Sequence, residues 1–243
     1  MKYDISVVRL GAIQGFSNIT QRMLMQFMLN SVKPGRSLEI GVWHGRTALQ
    51  LISSSSLEVY LVDSNIEMLD ISRKHIESFF EDSANVTYIH DDSMKHDFSG
   101  LKSSIDFIHI DGQHTKSAVL NDLDASKLML TNEGVIAIDD FFMFKYPQIT
   151  EAVYEWLLKN SDFKLFLVSE YKAFICRNDF YSTYTNDIIN NMKSFANENN
   201  LKCCNISKTS FISDSFTYSV LFSEGKDCGV EYSDNFIEHI ANI

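Results

Sequence analysis

Short apolar runs alternate with amphipathic stretches between residues 37 and 177. The five runs span residues 37–40, 59–62, 86–89, 105–110 and 135–138. Between them, apolar residues such as Ile66, Leu69 and Ile76 recur at the three- and four-residue spacing of an amphipathic helix. Strands that alternate with helices at this pitch are typical of a parallel sheet with helices on both faces. The pattern therefore predicts a doubly wound α/β fold with five parallel strands.

The end of this pattern differs from its beginning. Two runs at residues 163–168 and 172–176 are separated by only three residues. A crossover to a parallel strand needs a dozen residues or more, whereas an antiparallel hairpin needs few. We therefore expect the sheet to end in an antiparallel hairpin. Before the fifth run, Asn132, Glu133 and Gly134 predict a helix stop and a turn into that strand.

The segment that precedes the first run predicts a helix. Residues 18–32 are amphipathic and rich in methionine, and Asn18 with Gln21 fits the capping box that begins many helices. We expect this helix to pack on the sheet, so residues 1–35 are predicted to be a helical cover within a domain that spans residues 1–178.

The segment that follows the hairpin predicts an α+β extension over residues 179–243, to which the sequence assigns no role. Its expected elements are a polar helix near 186–199, β-like runs near Phe211 and 216–222, and a last helix near 235–240.

Composition limits the classes of function. The 243 residues carry a formal net charge of −11, which should repel the phosphates of nucleic acids. No stretch approaches the roughly 20 apolar residues of a membrane span, and the N-terminus lacks the layout of a signal peptide. The four cysteines have neither metal-ligand spacing nor the pattern of a disulfide framework. We therefore expect a cytoplasmic protein without nucleic-acid or membrane partners, and the sequence leaves assembly into a homo-oligomer open.

A glycine-containing loop follows the first predicted strand. It runs from Glu39 through Gly41 and Gly45 to Thr47, where a helix is expected to begin. Glycines at such a turn let the backbone approach a ligand, although they also serve a tight turn without any ligand. The spacing is GxxxG rather than the GxGxxG of dinucleotide-binding proteins, which disfavours a nicotinamide-dependent oxidoreductase.

Acidic residues follow the second and third runs. Asp63 ends the second run, where a sheet of this kind holds a ribose diol, although a helix cap is an equal interpretation. Asp92 and Ser93 follow the third run, and they fit either a contact to adenine or an ordinary turn.

Three carboxylates follow the fourth and fifth runs. Asp111 ends one strand and the pair Asp139 and Asp140 ends the next, so all three should meet at one edge of the sheet. Close carboxylates repel one another unless protons or a cation neutralise them, and oxygen ligands suit Mg²⁺. Asp139 and Asp140 could instead cap the segment that follows the fifth strand, without binding a metal. His114 lies three positions after Asp111. At this place it could act as a general base, or it could be a capping or packing histidine.

The other histidines have no companions at ligand spacing. His44, His75, His90, His96 and His239 are therefore interpreted as structural or surface residues. His109, within the fourth run, is expected to pack against the helical layer of the sheet.

Together these motifs resemble the class I S-adenosylmethionine-dependent methyltransferases, and most closely the metal-dependent O-methyltransferases. The resemblance rests on the loop from Glu39 to Thr47, on Asp63, and on the strings HIDGQH at 109–114 and EGVIAIDDF at 133–141. The last two strings are similar to the branch that modifies macrolide sugars and cephalosporin intermediates. The frequent second acid of this family is Gln113 here, so members that use that acid as base are poor guides.

The resemblance implies a Rossmann-like sheet and a set of roles. It implies S-adenosylmethionine as methyl donor, Mg²⁺ or another divalent cation as metal, and His114 as the base. The cofactor residues would be Glu39, Gly41, Gly45 and Thr47 at the methionine end, Asp63 at the ribose, Asp92 and Ser93 at the adenine, and Asp111 beside them. The metal ligands would be Asp111, Asp139 and Asp140.

The acceptor implied by the resemblance is a small molecule or glycan that offers the hydroxyl of a sugar or another vicinal diol. Its pocket is expected to include Phe141, Phe142, Phe144 and Tyr146. Two alternatives stay open at this stage. One is a metal-independent methyltransferase acting on nitrogen or carbon, and the other is an S-adenosylmethionine-binding interaction module without catalysis.

Overall fold

A computed structural model describes residues 13, 15, 17–80, 85–169, 171–201, 203–210 and 216–223. Nine strands form one sheet. They are β1 (Arg36–Ile40), β2 (Glu58–Asp63), β3 (Val86–His90), β4 (Ile105–Ile110), β5 (Leu130–Ile138), β6 (Phe163–Ser169), β7 (Lys172–Arg177), β8 (Cys203–Ser210) and β9 (Phe216–Ser223).

Six α-helices connect and cover the strands in the described part of the chain. They are α1 (Ile19–Val32), α2 (Arg46–Ser54), α3 (Ile66–Phe79), α4 (Lys116–Met129), α5 (Pro147–Lys159) and α6 (Asn178–Glu198). None of these helices has the length and apolar character that a membrane span needs.

The strand order is β3-β2-β1-β4-β5-β7-β6-β9-β8. Strands β1 to β5 are parallel to one another, and β7 and β6 follow as an antiparallel pair. The predicted fold class is therefore confirmed: a doubly wound, Rossmann-like α/β sheet of five parallel strands that ends in an antiparallel hairpin.

The segment between α4 and β5 differs from its prediction. Asn132, Glu133 and Gly134 lie within β5 rather than in a turn before it. Ile105 pairs with Leu130 and Phe107 with Val135, so these residues form an irregular insertion in the strand. Their backbone stays near the sheet because β5 begins directly at the end of α4.

The C-terminal extension continues the sheet of the preceding domain. β9 pairs parallel with β6 through Leu167–Tyr218 and Val168–Ser219, and β8 pairs antiparallel with β9. Helix α6 begins at the end of β7, which makes it longer than the predicted helix near 186–199. The predicted run near Phe211 and the predicted helix near 235–240 lie outside the described residues.

Two apolar layers enclose the sheet. One contains the inner faces of α1, α2, α3 and α6, and the other contains those of α4 and α5. The predicted capping box of α1 is confirmed, because the Asn18 side chain accepts from the amide of Gln21 and the Gln21 side chain accepts from the amide of Asn18. Helices thus cover both faces of β1 to β5. The carboxyl ends of these strands stay accessible, and this is where α/β sheets bind ligands.

Gly41 occupies the tightest point of that edge. Its backbone has a φ of +85°, and a Cβ atom built there would lie 2.0 Å from the carbonyl oxygen of Asp111. The close approach follows from the hydrogen bond that the Asp111 amide donates to the carbonyl of Ile40, at 2.8 Å. A side chain at position 41 would therefore push β1 and β4 apart.

We expect Gly41→Ala to lower the free energy of unfolding by about 3 kcal/mol, because left-handed strain and a backbone clash add together. Gly100→Ala is the matched control. No heavy atom lies within 4 Å of a Cβ built at Gly100, so its effect should stay within about 0.5 kcal/mol. Urea denaturation of both variants measures the difference. Equal stabilities would contradict the assigned role of Gly41.

Candidate active site

Strand register brings the predicted site residues together. Ile40, Ile110 and Ile138 are neighbours across β1, β4 and β5. Backbone hydrogen bonds extend the ladder one step further, because the Asp139 amide donates to the carbonyl of Ile110 at 2.9 Å. Asp111 and Asp139 therefore lie side by side directly after their strands, as the sequence predicted.

A cleft of about 390 Å³ follows this edge from β1 towards β3. It is lined by five of the eight residues predicted to bind the cofactor: Gly41, Asp63, Asp92, Ser93 and Asp111. Two methionines, Met68 and Met94, supply apolar surface. Apolar walls with a few polar groups are typical of a small-molecule site.

Asp63 holds the glycine loop in shape. Its Oδ2 accepts hydrogen bonds from the amides of Val42 at 2.9 Å and Trp43 at 3.1 Å, and its Oδ1 accepts from the amide of Asn65. A carboxylate has about four lone-pair sites, so Asp63 retains acceptor capacity towards the cleft. The Asp63 side chain can therefore cap the local backbone and also contact a ligand, which were the two interpretations of it from the sequence.

Asp92 and Ser93 form the far wall of the cleft. Asp92 accepts from the amide of Met94 at 3.0 Å and pairs with Lys95 Nζ at 3.0 Å. The hydrogen bond with Lys95 is the main reason that the pKa of Asp92 is lowered. The carbonyl of Ser93 accepts from the Asn121 side chain, which fixes this turn against α4.

A second cavity of about 460 Å³ adjoins the first. Glu39, Thr47, His114, Asp139 and Asp140 line it. Both cavities share a border formed by Trp43, Asp111 and Gly112. The structure thus divides the predicted cofactor residues between two connected spaces, with Asp111 at the junction.

Gly45 lines neither cavity among the described residues. It precedes the first residue of α2 with a φ of +82°, and a Cβ there would lie 2.9 Å from the Cβ of Ser72 in α3. The structure therefore gives Gly45 a packing role, and its predicted contact with the cofactor stays a prediction.

Three side chains meet at the rim of the second cavity. One ligand atom each of Asp111, His114 and Asp140 lies within 4.8 Å of the others. His114 Nε2 is 3.3 Å from Asp140 Oδ2 and 3.7 Å from Asp111 Oδ1. This nitrogen is buried without an aligned hydrogen-bond partner among the described residues. Asp140 itself adopts a left-handed φ of 56°. This conformation is strained for a non-glycine residue, and such strain is found most often at functional sites.

The ionisable groups at this rim shift one another's pKa values. Desolvation and then the negative charge of Asp139 raise the pKa of Asp111, and the same two causes raise the pKa of Asp140. The interaction with Asp111 raises the pKa of His114. The rim therefore attracts positive charge, because its carboxylates are held close together with little water.

Asp139 has a partner that the sequence interpretation missed. Lys172 Nζ lies 2.7 Å from Asp139 Oδ2, and Lys172 is only 2% exposed. Desolvation is the largest single effect and opposes ionisation of Asp139, but the ammonium of Lys172 and the hydrogen bonds from Lys172 and the Asp140 amide, together with His109, lower the pKa of Asp139. The antiparallel register explains the contact, because Ala173 pairs with Ile138. In the sequence, Lys172 is simply the first residue of an apolar strand.

His109 and Glu39 form a buried pair beneath the same cavity. They are register neighbours in β4 and β1, and His109 Nδ1 lies 3.0 Å from Glu39 Oε1. Burial lowers the pKa of His109 to about 3, so its ring is neutral. The expectation that His109 packs against a helical layer is replaced by a polar contact within the sheet. Glu39 Oε2 is buried without a hydrogen-bond partner among the described residues.

Aromatic rings shape the second cavity. The Tyr146 ring lies over His114 with centroids 4.0 Å apart, and the Trp43 and His44 rings stack at 5.0 Å. His44 therefore lines the cavity, although the sequence interpretation made it structural. Of the four aromatic residues predicted for the acceptor pocket, Tyr146 lines this cavity. Phe141 is buried in the core, whereas Phe142 and Phe144 are exposed.

A family model described as a methyltransferase domain matches residues 38–141. This range holds the last three residues of β1, all of β2 to β5, and all the predicted cofactor and metal residues. No curated protein matches the sequence.

Solved structures share the fold at low sequence identity. The S-adenosylhomocysteine-bound methyltransferase PaMTH1 of Podospora anserina is 19% identical, with a TM-score of 0.54 over 68% of this chain and 80% of that chain. An O-methyltransferase of Bacillus cereus in complex with S-adenosylhomocysteine is 18% identical, with a TM-score of 0.53 over 69% and 83%. The O-methyltransferase TomG of Streptomyces achromogenes, in complex with S-adenosylmethionine, is 12% identical, with a TM-score of 0.54 over 67% and 81%.

The matched family, the strand order and the ligand cleft at the carboxyl edge agree with one another. Residues 38–141 thus match a methyltransferase domain, and the chain shares its fold with methyltransferases solved with S-adenosylmethionine or S-adenosylhomocysteine.

Proposed function

We propose that this enzyme methylates a hydroxyl group of a sugar, a glycosylated metabolite or another vicinal diol, with the help of a divalent cation such as Mg²⁺. The observation that carries the proposal is the position of His114 Nε2. This nitrogen has no aligned hydrogen-bond partner among the described residues, and it faces the carboxylates of Asp111 and Asp140 near the junction of the two cavities. A proton acceptor, an acidic rim and a donor cleft thus converge on one point.

The first cavity and Glu39 fit S-adenosylmethionine. Its adenosine would lie along Asp63, Asp92 and Ser93, and its amino acid part would extend past Gly41 towards Glu39 and Thr47. Glu39 Oε2 is the buried acceptor that lacks a partner among the described residues, and the ammonium of the donor's methionine part would supply one. Desolvation raises the pKa of Glu39 in the absence of such a cation.

The rim fits a hard divalent cation. Its predicted ligands are Asp111, Asp139 and Asp140, and carboxylate oxygens together with water and substrate oxygens suit Mg²⁺. When bound, such a cation would neutralise the rim, lower the pKa of the acceptor hydroxyl and favour the neutral form of His114.

The residues of the chain then have separate tasks. The walls of the second cavity orient the acceptor hydroxyl in line with the donor's methyl group, since methyl transfer is a displacement that depends on alignment. The methyl carbon forms a bond to the hydroxyl oxygen as its bond to sulfur breaks. His114 Nε2 accepts the proton that the hydroxyl loses. Tyr146 restricts the orientation of the His114 ring.

The acceptor class follows from the second cavity. Its volume of about 460 Å³ is within the range of small-molecule sites. The stacked Trp43 and His44 rings offer a flat surface, and the rim offers polar groups beside it. A sugar ring presents both an apolar face and paired hydroxyls, which is the combination that these walls complement.

A methyl-transfer screen over sugars, catechols and glycosylated metabolites tests the proposed function. We expect mass spectrometry to detect O-methylated products from diol acceptors with Mg²⁺ present. Excess EDTA should abolish the product, and added Mg²⁺ should restore it. Methylation at nitrogen or carbon that persists in EDTA would support the metal-independent alternative. A bound donor without any product would support the interaction module.

His114→Gln is expected to lower kcat by about 10²- to 10⁴-fold, because the variant loses the proton acceptor. The affinity for S-adenosylhomocysteine should change less than about threefold, since His114 lies outside the cleft of the adenosine. His90→Gln, at an exposed histidine bonded to the carbonyl of Ser64, is the control and should keep wild-type kcat. Unchanged turnover in His114→Gln would remove the base assignment.

Glu39→Gln is expected to weaken S-adenosylhomocysteine binding about tenfold, because it removes the charge that faces the ligand's ammonium. The amide keeps an oxygen for the hydrogen bond from His109. Calorimetry with 5′-methylthioadenosine, which lacks the amino acid part, is the matched control, and its affinity should stay the same. Equal losses for both ligands would indicate a structural effect of Glu39 instead.

A further inference from the structure

Lys172 is a charged group beneath the rim that the proposed mechanism does not use. It is fully enclosed at the sheet edge, where the hairpin strand β7 runs beside β5. Its ammonium has two neighbours: Asp139 Oδ2 at 2.7 Å and His109 Nε2 at 3.3 Å. Burying an ammonium is unfavourable unless its partners compensate for the lost hydration. The role of Lys172 therefore depends on its contacts with Asp139 and His109.

Each oxygen of Asp139 has a partner within the protein. Oδ1 accepts a hydrogen bond from the amide of Asp140 at 3.0 Å, and Oδ2 pairs with Lys172. Asp111 and Asp140 differ from it. Their ion-pair contacts within the described residues are to His114 alone, at 3.7 Å and 3.3 Å. The three acids of the rim are therefore unequal, although the sequence presents them as one set.

The second contact of Lys172 fixes its position. An ammonium can only donate, so His109 Nε2 accepts from Lys172, and its Nδ1 is then the nitrogen that donates to Glu39. A chain of polar contacts thus runs from Asp139 through Lys172 and His109 to Glu39, across β5, β7, β4 and β1. Moving the ammonium away from Asp139 would disturb every member of this chain.

We infer that Lys172 is a built-in counter-ion that keeps Asp139 from ligating the metal, so that Asp111 and Asp140 are the protein's ligands for the divalent cation. This inference rests on the proposed metal-dependent function and narrows its predicted ligand set. Lys172 is a positioning residue, since it acts through Asp139 and lines neither cavity among the described residues.

Charge balance supports this division. Lys172 compensates one of the three carboxylates, and the other two match the charge of one divalent cation. Full use of Asp139 by the metal would leave an uncompensated ammonium in a buried place, which is strongly unfavourable. Asp111 and Asp140 carry no such penalty, because their neighbour His114 can be neutral.

Titration of the full-length protein with Mn²⁺ alone, followed by electron paramagnetic resonance, tests the inference without an acceptor. Asp139→Asn combined with Lys172→Met removes the pair together and leaves the net charge unchanged. We expect this double variant to bind Mn²⁺ within about threefold of the wild type. Asp140→Asn and Asp111→Asn should each weaken binding by about 30-fold or more.

Lys172→Met alone gives a second, opposite expectation. It frees Asp139 and removes a positive charge near the site, so Mn²⁺ affinity should rise about tenfold. Thermal denaturation and S-adenosylhomocysteine binding establish that each variant is folded. If the double variant does not fold, Asp139→Asn alone carries the comparison, and its loss of Mn²⁺ affinity should be at least about tenfold smaller than that of Asp140→Asn.

The outcomes test the role of Lys172 separately from the proposed metal-dependent function. If the double variant loses Mn²⁺ affinity as Asp140→Asn does, or if Lys172→Met fails to bind more tightly, the inference is overturned while the metal-dependent function stands. If the wild type binds no Mn²⁺ with or without S-adenosylhomocysteine, the metal-dependent function itself is overturned and the inference with it.

Discussion

The alignment of β1, β4 and β5 at their carboxyl ends is the constraint on which the site depends. Ile40, Ile110 and Ile138 stand in register, so the chain leaves all three strands at one level. The ladder continues one residue beyond them, which brings the backbone at Gly41 against the carbonyl of Asp111. The loop predicted to bind the cofactor and the acidic rim are therefore parts of one hydrogen-bonded edge of the sheet.

Electrostatics at this edge follows from burial on the same face of the sheet. Side chains two positions apart point to the same side, so Glu39, His109 and Asp139 share one face, and the antiparallel β7 adds Lys172 to it. With little water to screen them, these groups set one another's charge state. With a neutral histidine and a fixed ammonium beneath the rim, Asp111 and Asp140 have no cationic partner other than His114 among the described residues.

Much of this fold was predictable because its signals are local. Apolar runs, helical spacing and the three-residue gap of the hairpin each depend on neighbouring residues, and all five parallel strands were found. The predicted stop at Asn132–Gly134 was wrong, because β5 begins earlier and absorbs those residues as an irregularity. The pairing of β9 with β6 was beyond prediction, since strand partners distant in sequence leave no local pattern.

The sequence by itself determined the class of chemistry, because strand ends in a parallel sheet converge and its acids, His114 and glycine loop stand at those ends. Tertiary structure alone decided how these groups divide the work. It separated the predicted cofactor residues between two cavities, packed Gly45 against Ser72 and placed His44 at the cavity wall. It also paired Asp139 with Lys172. Antiparallel register sets that contact, and no spacing along the chain encodes it.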